Sequence, residues 1–321
     1  MTIIAWFMQD RSAANREKQR VARLSVASNT LLVLLKLAVG FAIGSVAIIA
    51  EAIHSGIDLV AAVIAFFAVR ASAQPPDDEH EFGHGSFEDL SGLVEGVLIL
   101  VAAALIIYEG IEKLLTGGEP FDTPHLLAGV AVMAVSAGVN WYVSGRLMRV
   151  ARATESIALE SDAWHLRTDV YTSLGVFAGL VALLLTGIVA LDALIAIAVA
   201  VVILRAGWDL VRRASGNLVD QRLPENEEAI IRGIIDAHGD NIAEFHDLRT
   251  RRSGPDRFVD LHLCVAHRLT VEESHALADR LESEIEAALP RCSATIHVEP
   301  CDGSCDACGT FCTVRDGPPG E

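Results

Sequence analysis

Between residues 24 and 212 the chain runs as long apolar stretches separated by short polar breaks. Each stretch can cross a hydrocarbon core of roughly 30 Å as one helix. The pattern predicts six spans, at residues 24–42, 45–69, 88–114, 124–147, 156–186 and 188–212. From Asp220 the periodicity shortens. "ENEEAIIRGIIDAHG" reads as an amphipathic helix, "EFHDLRTRRSG" and "RFVDLHLCVAH" as two strands turning at Ser253, Gly254 and Pro255, Val271 to Leu289 as a second helix, and "SATIHVEP" as a last strand. The expected fold is an α-helical membrane protein of six transmembrane helices followed by a small cytoplasmic α+β domain of ferredoxin-like type. Its parts are an N-terminal cytoplasmic segment (1–23), the membrane domain (24–214), the α+β domain (215–300) and a cysteine-rich flexible tail (301–321).

Composition supports a membrane protein, since 52% hydrophobic residues over 321 positions is more than a soluble domain carries. Charge then sets the orientation. Arg16, Lys18, Arg20 and Arg23 precede the first span, Arg70 ends the second, Arg146, Arg149 and Arg152 follow the fourth, and Arg212 and Arg213 follow the sixth. Except for Lys113, the alternate connections lack Lys and Arg, which places both termini in the cytoplasm, as expected at a bacterial inner membrane. The opening "MTIIAWFM" does not read as a signal peptide. The net charge of −17, concentrated after residue 219, argues against a nucleic-acid partner and suits attraction of cations.

Ionisable residues within the spans carry the candidate chemistry. "HSGID" in the second span and "HLRTD" in the fifth repeat one arrangement, His54 with Asp58 and His165 with Asp169. Four residues apart, each pair lies on one helix face. An aspartate in a spanning helix costs roughly 2.5 to 3.5 kcal/mol on insertion scales, so a chain that keeps several should use them. Two imidazoles and two carboxylates suit Zn²⁺. Glu51, Glu95 and Asp162 read as helix-packing residues or as candidates for supporting or access-path roles.

The loop "PPDDEHEFGHG" contains a formal H-E-x-x-H in His80, Glu81 and His84. A zinc protease needs that pattern on a helix, but Pro75, Pro76, Gly83 and Gly85 predict a loop. In the α+β domain, His262 lies opposite the apolar face of its strand, His297 and Glu299 share one face of the last strand, and His246 and His275 lie on neighbouring elements. Such a polar face suits Zn²⁺. Cys301, Cys305, Cys308 and Cys312 could also hold a metal, whereas Cys264 and Cys292 read as packing residues.

Together "HSGID", "HLRTD", "PPDDEHEFGHG", "LDALIAI", "HDLRTRRSGP" and "IHVEP" resemble, in order and over nearly the whole chain, the cation diffusion facilitator family. The resemblance implies a homodimeric, proton-coupled exporter of divalent metal. It implies a transport site at His54, Asp58, His165 and Asp169, a loop site at Asp77, His80 and His84, and a regulatory site at His246, His262, His275, His297 and Glu299. Members with Asp at the position of His54 tend to accept more metals, so His54 points to Zn²⁺, with Cd²⁺ or Fe²⁺ next. Ser86 stands where many relatives carry a lysine that would pair with Asp220, and the cysteine-rich tail is an addition.

These ligands also imply a mechanism. Metal needs neutral imidazole and ionised carboxylate, so protons and metal compete for one site. Alternating access would then exchange Zn²⁺ outward for H⁺ inward across the lipid bilayer. Two rival readings stand beside export: a membrane metalloprotease built on His80, Glu81 and His84, and a metal sensor without flux.

Overall fold

The computed structural model describes residues 3–44, 46–116, 126–186, 189–238, 242–266 and 269–301. They fall into two compact units that divide at Ser215 and Gly216. The first unit contains six long helices: α1 (Ile3–Ile43), α2 (Val46–Ser72), α3 (Ser86–Thr116), α4 (Leu126–Thr154), α5 (Ile157–Thr186) and α6 (Val189–Leu218, whose last turn runs into the second unit).

Each expected span lies within one of these helices to within about two residues, the margin by which helix ends are commonly assigned. One boundary differs in kind. The helix of the first span begins at Ile3, so the segment read as a separate cytoplasmic stretch, 1–23, is continuous with it over the described residues. Its charges hid an ordinary helical sequence without Pro or Gly. Among the described residues α1, α2, α3 and α6 are long and apolar enough to cross a bilayer. α4 and α5, of 29 and 30 residues, also reach spanning length.

Small residues let the helices approach closely. Ala22 of α1, Ala68 of α2, Ala151 of α4 and Ala158 and Ala163 of α5 are buried where four helices meet around Leu147, Leu159 and Leu166. A Cβ on Gly96 of α3 would lie 2.8 Å from Cγ2 of Val211 and 3.2 Å from its backbone nitrogen, so α6 can pack there only against glycine. Large apolar side chains point outward instead, among them Leu31, Phe67, Leu105, Tyr108 and Trp208. An apolar exterior around a polar interior is what lipid selects, because hydrocarbon offers no partner to a polar group.

Part of that interior is a buried ionic knot. Lys18 of α1 and Glu88 of α3 are both fully buried, with Nζ 2.5 Å from Oε1. Ser72 at the end of α2 donates to Oε1 at 2.6 Å, and Ser156, just before α5, donates to Oε2. One carboxylate therefore gathers groups from α1, α2 and the start of α5.

The second unit is the α+β domain: α7 (Glu225–Asp236), β1 (Ile242–Ser253), β2 (Asp256–Val265), α8 (Val271–Ala288) and β3 (Cys292–Pro300). The sheet order is β1-β2-β3, with β1 and β2 antiparallel and β2 and β3 parallel. The α8 crossover permits the parallel pairing. Ile231, Ile235, Leu261, Leu263, Leu281 and Ile285 form the core between the helices and one sheet face. Thr270 starts α8 with a capping box, accepting from the backbone N–H of Glu273 while the Glu273 carboxylate accepts from that of Thr270. Asp220 pairs within its own unit, 3.4 Å from Nη1 of Arg251. Of the tail only Cys301 is described; Cys305, Cys308 and Cys312 lie outside the described residues.

Candidate metal centres

Among the described residues, three groups of side chains lie close enough to hold a divalent ion. The first is inside the helix bundle. Ligand atoms of His54 and Asp58 on α2 and Asp169 on α5 lie within 4.8 Å of one another. The fourth expected member, His165, places Nε2 3.0 Å from Oδ1 of Asp58. Both H-x-x-x-D pairs therefore converge, each presenting two residues from successive turns of its helix. Asp58 and His165 are buried, Asp169 is half-buried and His54 is exposed.

Two polar partners of this group escaped the sequence reading. Asn140 of α4 donates from Nδ2 to Oδ2 of Asp169 at 3.1 Å, fixing that carboxylate from a third helix. Lys36 of α1 is buried, bonded to Oε1 of Glu51 at 2.9 Å and to Oγ of Ser55 at 2.7 Å, both on α2 beside His54 and Asp58. The only available signal was a polar residue in an apolar run, which marks a buried face without naming its partner.

The second group is the loop. No helix passes through residues 73–85 and α3 begins only at Ser86, so the zinc-protease geometry is absent. Glu81, the residue such chemistry would require beside the metal, is exposed. Gly83 takes φ +84°, a turn that a side chain would strain. Asp77 organises the loop, its Oδ1 accepting from the backbone N–H groups of Glu79 at 3.0 Å and His80 at 2.7 Å. The N–H of His80 holds the Asp77 carboxyl below the usual carboxylate range. Nε2 of His84 lies 3.3 Å from Oδ2, Nδ1 of His80 lies 3.4 Å from Oδ1, and the two rings are 4.4 Å apart. Asp77, His80 and His84 thus present one carboxylate and two imidazoles to a common point.

The third group lies on the sheet of the α+β domain. Strand register places His246 of β1 opposite His262 of β2, and His262 beside His297 of β3, so three imidazoles form one row. Ring centroids along it are 5.3 and 4.8 Å apart. Glu299, one step along β3 on the same face, reaches all three: 3.0 Å to Nδ1 of His262, 3.3 Å to Nε2 of His246 and 3.7 Å to Nε2 of His297. The row ends at an irregularity in β1 between His246 and Arg249, where Asp247 takes φ 50°. His275 does not join. It stands exposed on α8 with Nδ1 3.5 Å from Oδ1 of Asp279 one turn on. A helical histidine can face either way, and sequence spacing did not fix which.

Comparison with known proteins follows the same two-part division. The cation efflux transmembrane domain matches residues 22–219, and the cation efflux protein cytoplasmic domain matches residues 223–301. An uncharacterized transporter of Synechocystis sp. is 35% identical over 279 residues, covering 87% of this chain and 89% of that one. The cation-efflux pump FieF of Cronobacter sakazakii is 35% identical over 285 residues, covering 88% and 93%. FieF of Yersinia pestis is 33% identical over 272 residues, covering 85% and 89%. A solved structure of CzrB, studied as a zinc transporter, is 45% identical over 24% of this chain and 96% of its own, with a TM-score of 0.23. The metalloprotease and pure-sensor readings fall away, because the members of this family are metal transporters and not enzymes. A multi-pass helical bundle with converging metal-ligand side chains, a histidine-bearing α+β domain and matches to both domains in order together place the chain in the cation efflux, or cation diffusion facilitator, family of divalent metal transporters.

Proposed function

We propose that the chain exports Zn²⁺ from the cytoplasm in exchange for protons, acting as a homodimer in a bacterial inner membrane with both termini inside. The observation that carries this reading is the convergence of His54, Asp58, His165 and Asp169 from two helices. Two neutral imidazoles and two carboxylates balance the charge of a dication and favour a tetrahedral ion of borderline softness. Ions such as Mg²⁺ and Mn²⁺ favour six oxygen ligands. The same set supports exchange, because protonation of imidazole and carboxylate removes the ligands.

Asp77, His80 and His84 form the loop site in this reading, and the row of His246, His262 and His297 with Glu299 senses cytoplasmic zinc. The match of residues 223–301 to the cytoplasmic domain of cation efflux proteins supports assembly through that domain. FieF, a relative over 88% of this chain, bears a name that speaks of cation efflux.

The test is flux in vesicles containing the purified chain, with a zinc indicator inside and an imposed pH gradient. Zinc uptake should depend on the proton gradient and resist competition by Mn²⁺. Transport of Mn²⁺ or Fe²⁺ as fast as Zn²⁺ would overturn the zinc assignment, and uptake indifferent to the gradient would overturn the exchange.

A further inference from the structure

Glu95 on α3 and Asp162 on α5 are both completely buried and belong to none of the three groups above. Asp162 lies on the face of α5 that carries His165 and Asp169, one turn closer to the start of the helix. Glu95 faces it from α3, and each carboxylate lies within reach of the charge of His165. Gly92, one turn before Glu95, brings the two helices together, since a Cβ there would stand 3.2 Å from the side chain of Ile157.

The pair is poorly satisfied for its burial. Ser91 donates to Oε1 of Glu95 at 3.0 Å. Oε2 of Glu95, both carboxylate oxygens of Asp162 and Nδ1 of His165 have no hydrogen-bond partner in bonding geometry, although the Ser161 hydroxyl is close to Glu95 and the Ser25 hydroxyl to Asp162. Among the described residues, neither acid forms an ion pair with a lysine or arginine. By contrast, the nearby buried Glu88 receives a lysine and two hydroxyls. Two ionised carboxylates in a bundle interior without a lysine or arginine are costly; protonation relieves that cost, and so does a dication, whose charge cancels both.

We propose that Glu95 and Asp162, with the hydroxyls of Ser91 and Ser25, form a second divalent-cation site, a waiting position between the Arg70 end of the bundle and the quartet of His54, Asp58, His165 and Asp169. The direction of passage rests on the export reading; the binding site itself does not. Its ligands are all oxygen and few, so the ion it holds keeps part of its water shell, and it accepts harder ions than the quartet does. Transfer to the quartet is then one helical turn along α5, with His165 at the boundary. Discrimination among metals belongs to the imidazoles of the inner position, while capture from dilute solution belongs to the carboxylate pair.

Two measurements on the full-length chain decide the matter. In a background carrying D58N, D169N, H80A and H262A, which disables the other three groups, Mn²⁺ alone serves as the probe and electron paramagnetic resonance counts the bound ions. One Mn²⁺ per chain is expected, and adding E95Q and D162N should remove it. A background that binds no more Mn²⁺ than its E95Q/D162N version overturns the site. In vesicles, E95Q or D162N in the otherwise unaltered chain should raise KM for zinc about 10-fold, the low end of what supporting groups of metal sites contribute, with kcat nearly unchanged. An unchanged KM, or a fall in kcat alone from protein that elutes as a single species, assigns the pair a structural role and overturns the proposal. An unaltered chain that carries no zinc sinks the export reading instead, and the Mn²⁺ count still decides the site.

Discussion

Asp169 shows how a single side chain can be placed by three helices. It is offered by α5, meets His54 and Asp58 of α2, and is steadied by Asn140 of α4. Removing a ligand that also carries the compensating charge should be decisive: Asp58→Ala or Asp169→Ala is expected to abolish zinc flux while the protein still inserts and purifies normally, and near-normal uptake by either variant would contradict the quartet. Asn140 touches a ligand and not the ion, so it acts as a positioning residue. Asn140→Ala should weaken zinc binding about 10-fold with flux restored at high zinc. An Asn140→Asp variant separates charge from geometry, because it restores the reach but sets a second anion against Asp169. Isothermal titration beside the flux assay would distinguish the two effects.

At the level of elements, periodicity made much of the molecule readable in advance, but only where the informative spacing lay within one element. The pairs His54 with Asp58 and His165 with Asp169 could be read because four residues is one helical turn. The facing of His297 and Glu299 could be read because two residues is one strand repeat. Lys36, Asn140 and the bond from Lys18 to Glu88 were illegible, since their meaning comes from partners on other helices; Lys18 and Glu88 are 70 residues apart. The distance of His275 from the row was illegible for the same reason: on α8 it stands exposed beside Asp279. The start of α8 offers a test of local logic. Thr270→Ala removes a cap and should cost the domain about 1 kcal/mol, read as a lower denaturant midpoint. Its partner Glu273 has its carboxyl held below the ordinary glutamate range by the N–H of Thr270. A lowered folded-state value means stabilisation that is present above the unfolded-state pKa and is lost as pH falls through the folded one. Glu273→Gln should therefore destabilise at neutral pH and match the parent in strong acid.

The whole molecule joins a membrane unit to a unit with its own hydrophobic core, and the second can be tested alone. Residues 216–321 should bind zinc, and His246→Ala, His262→Ala and His297→Ala together should abolish that binding in calorimetry, whereas His275→Ala should leave it intact. Equal zinc binding by the triple variant would empty the row of its proposed role. A last consequence concerns the order in which the chain is made. Lys18 emerges from the ribosome long before Glu88, and Ser156 follows far later still. Until α3 arrives, an unpaired ammonium resists entering hydrocarbon and keeps its end of α1 at the aqueous boundary; once Glu88 and the two serines close around it, the same charge becomes interior. Losing one partner leaves the other buried and alone, a penalty of about 3 to 5 kcal/mol in measured cases. A chain truncated before α5 therefore lacks Ser156 and leaves the buried Glu88 carboxylate short of one donor, whereas the completed chain closes around it.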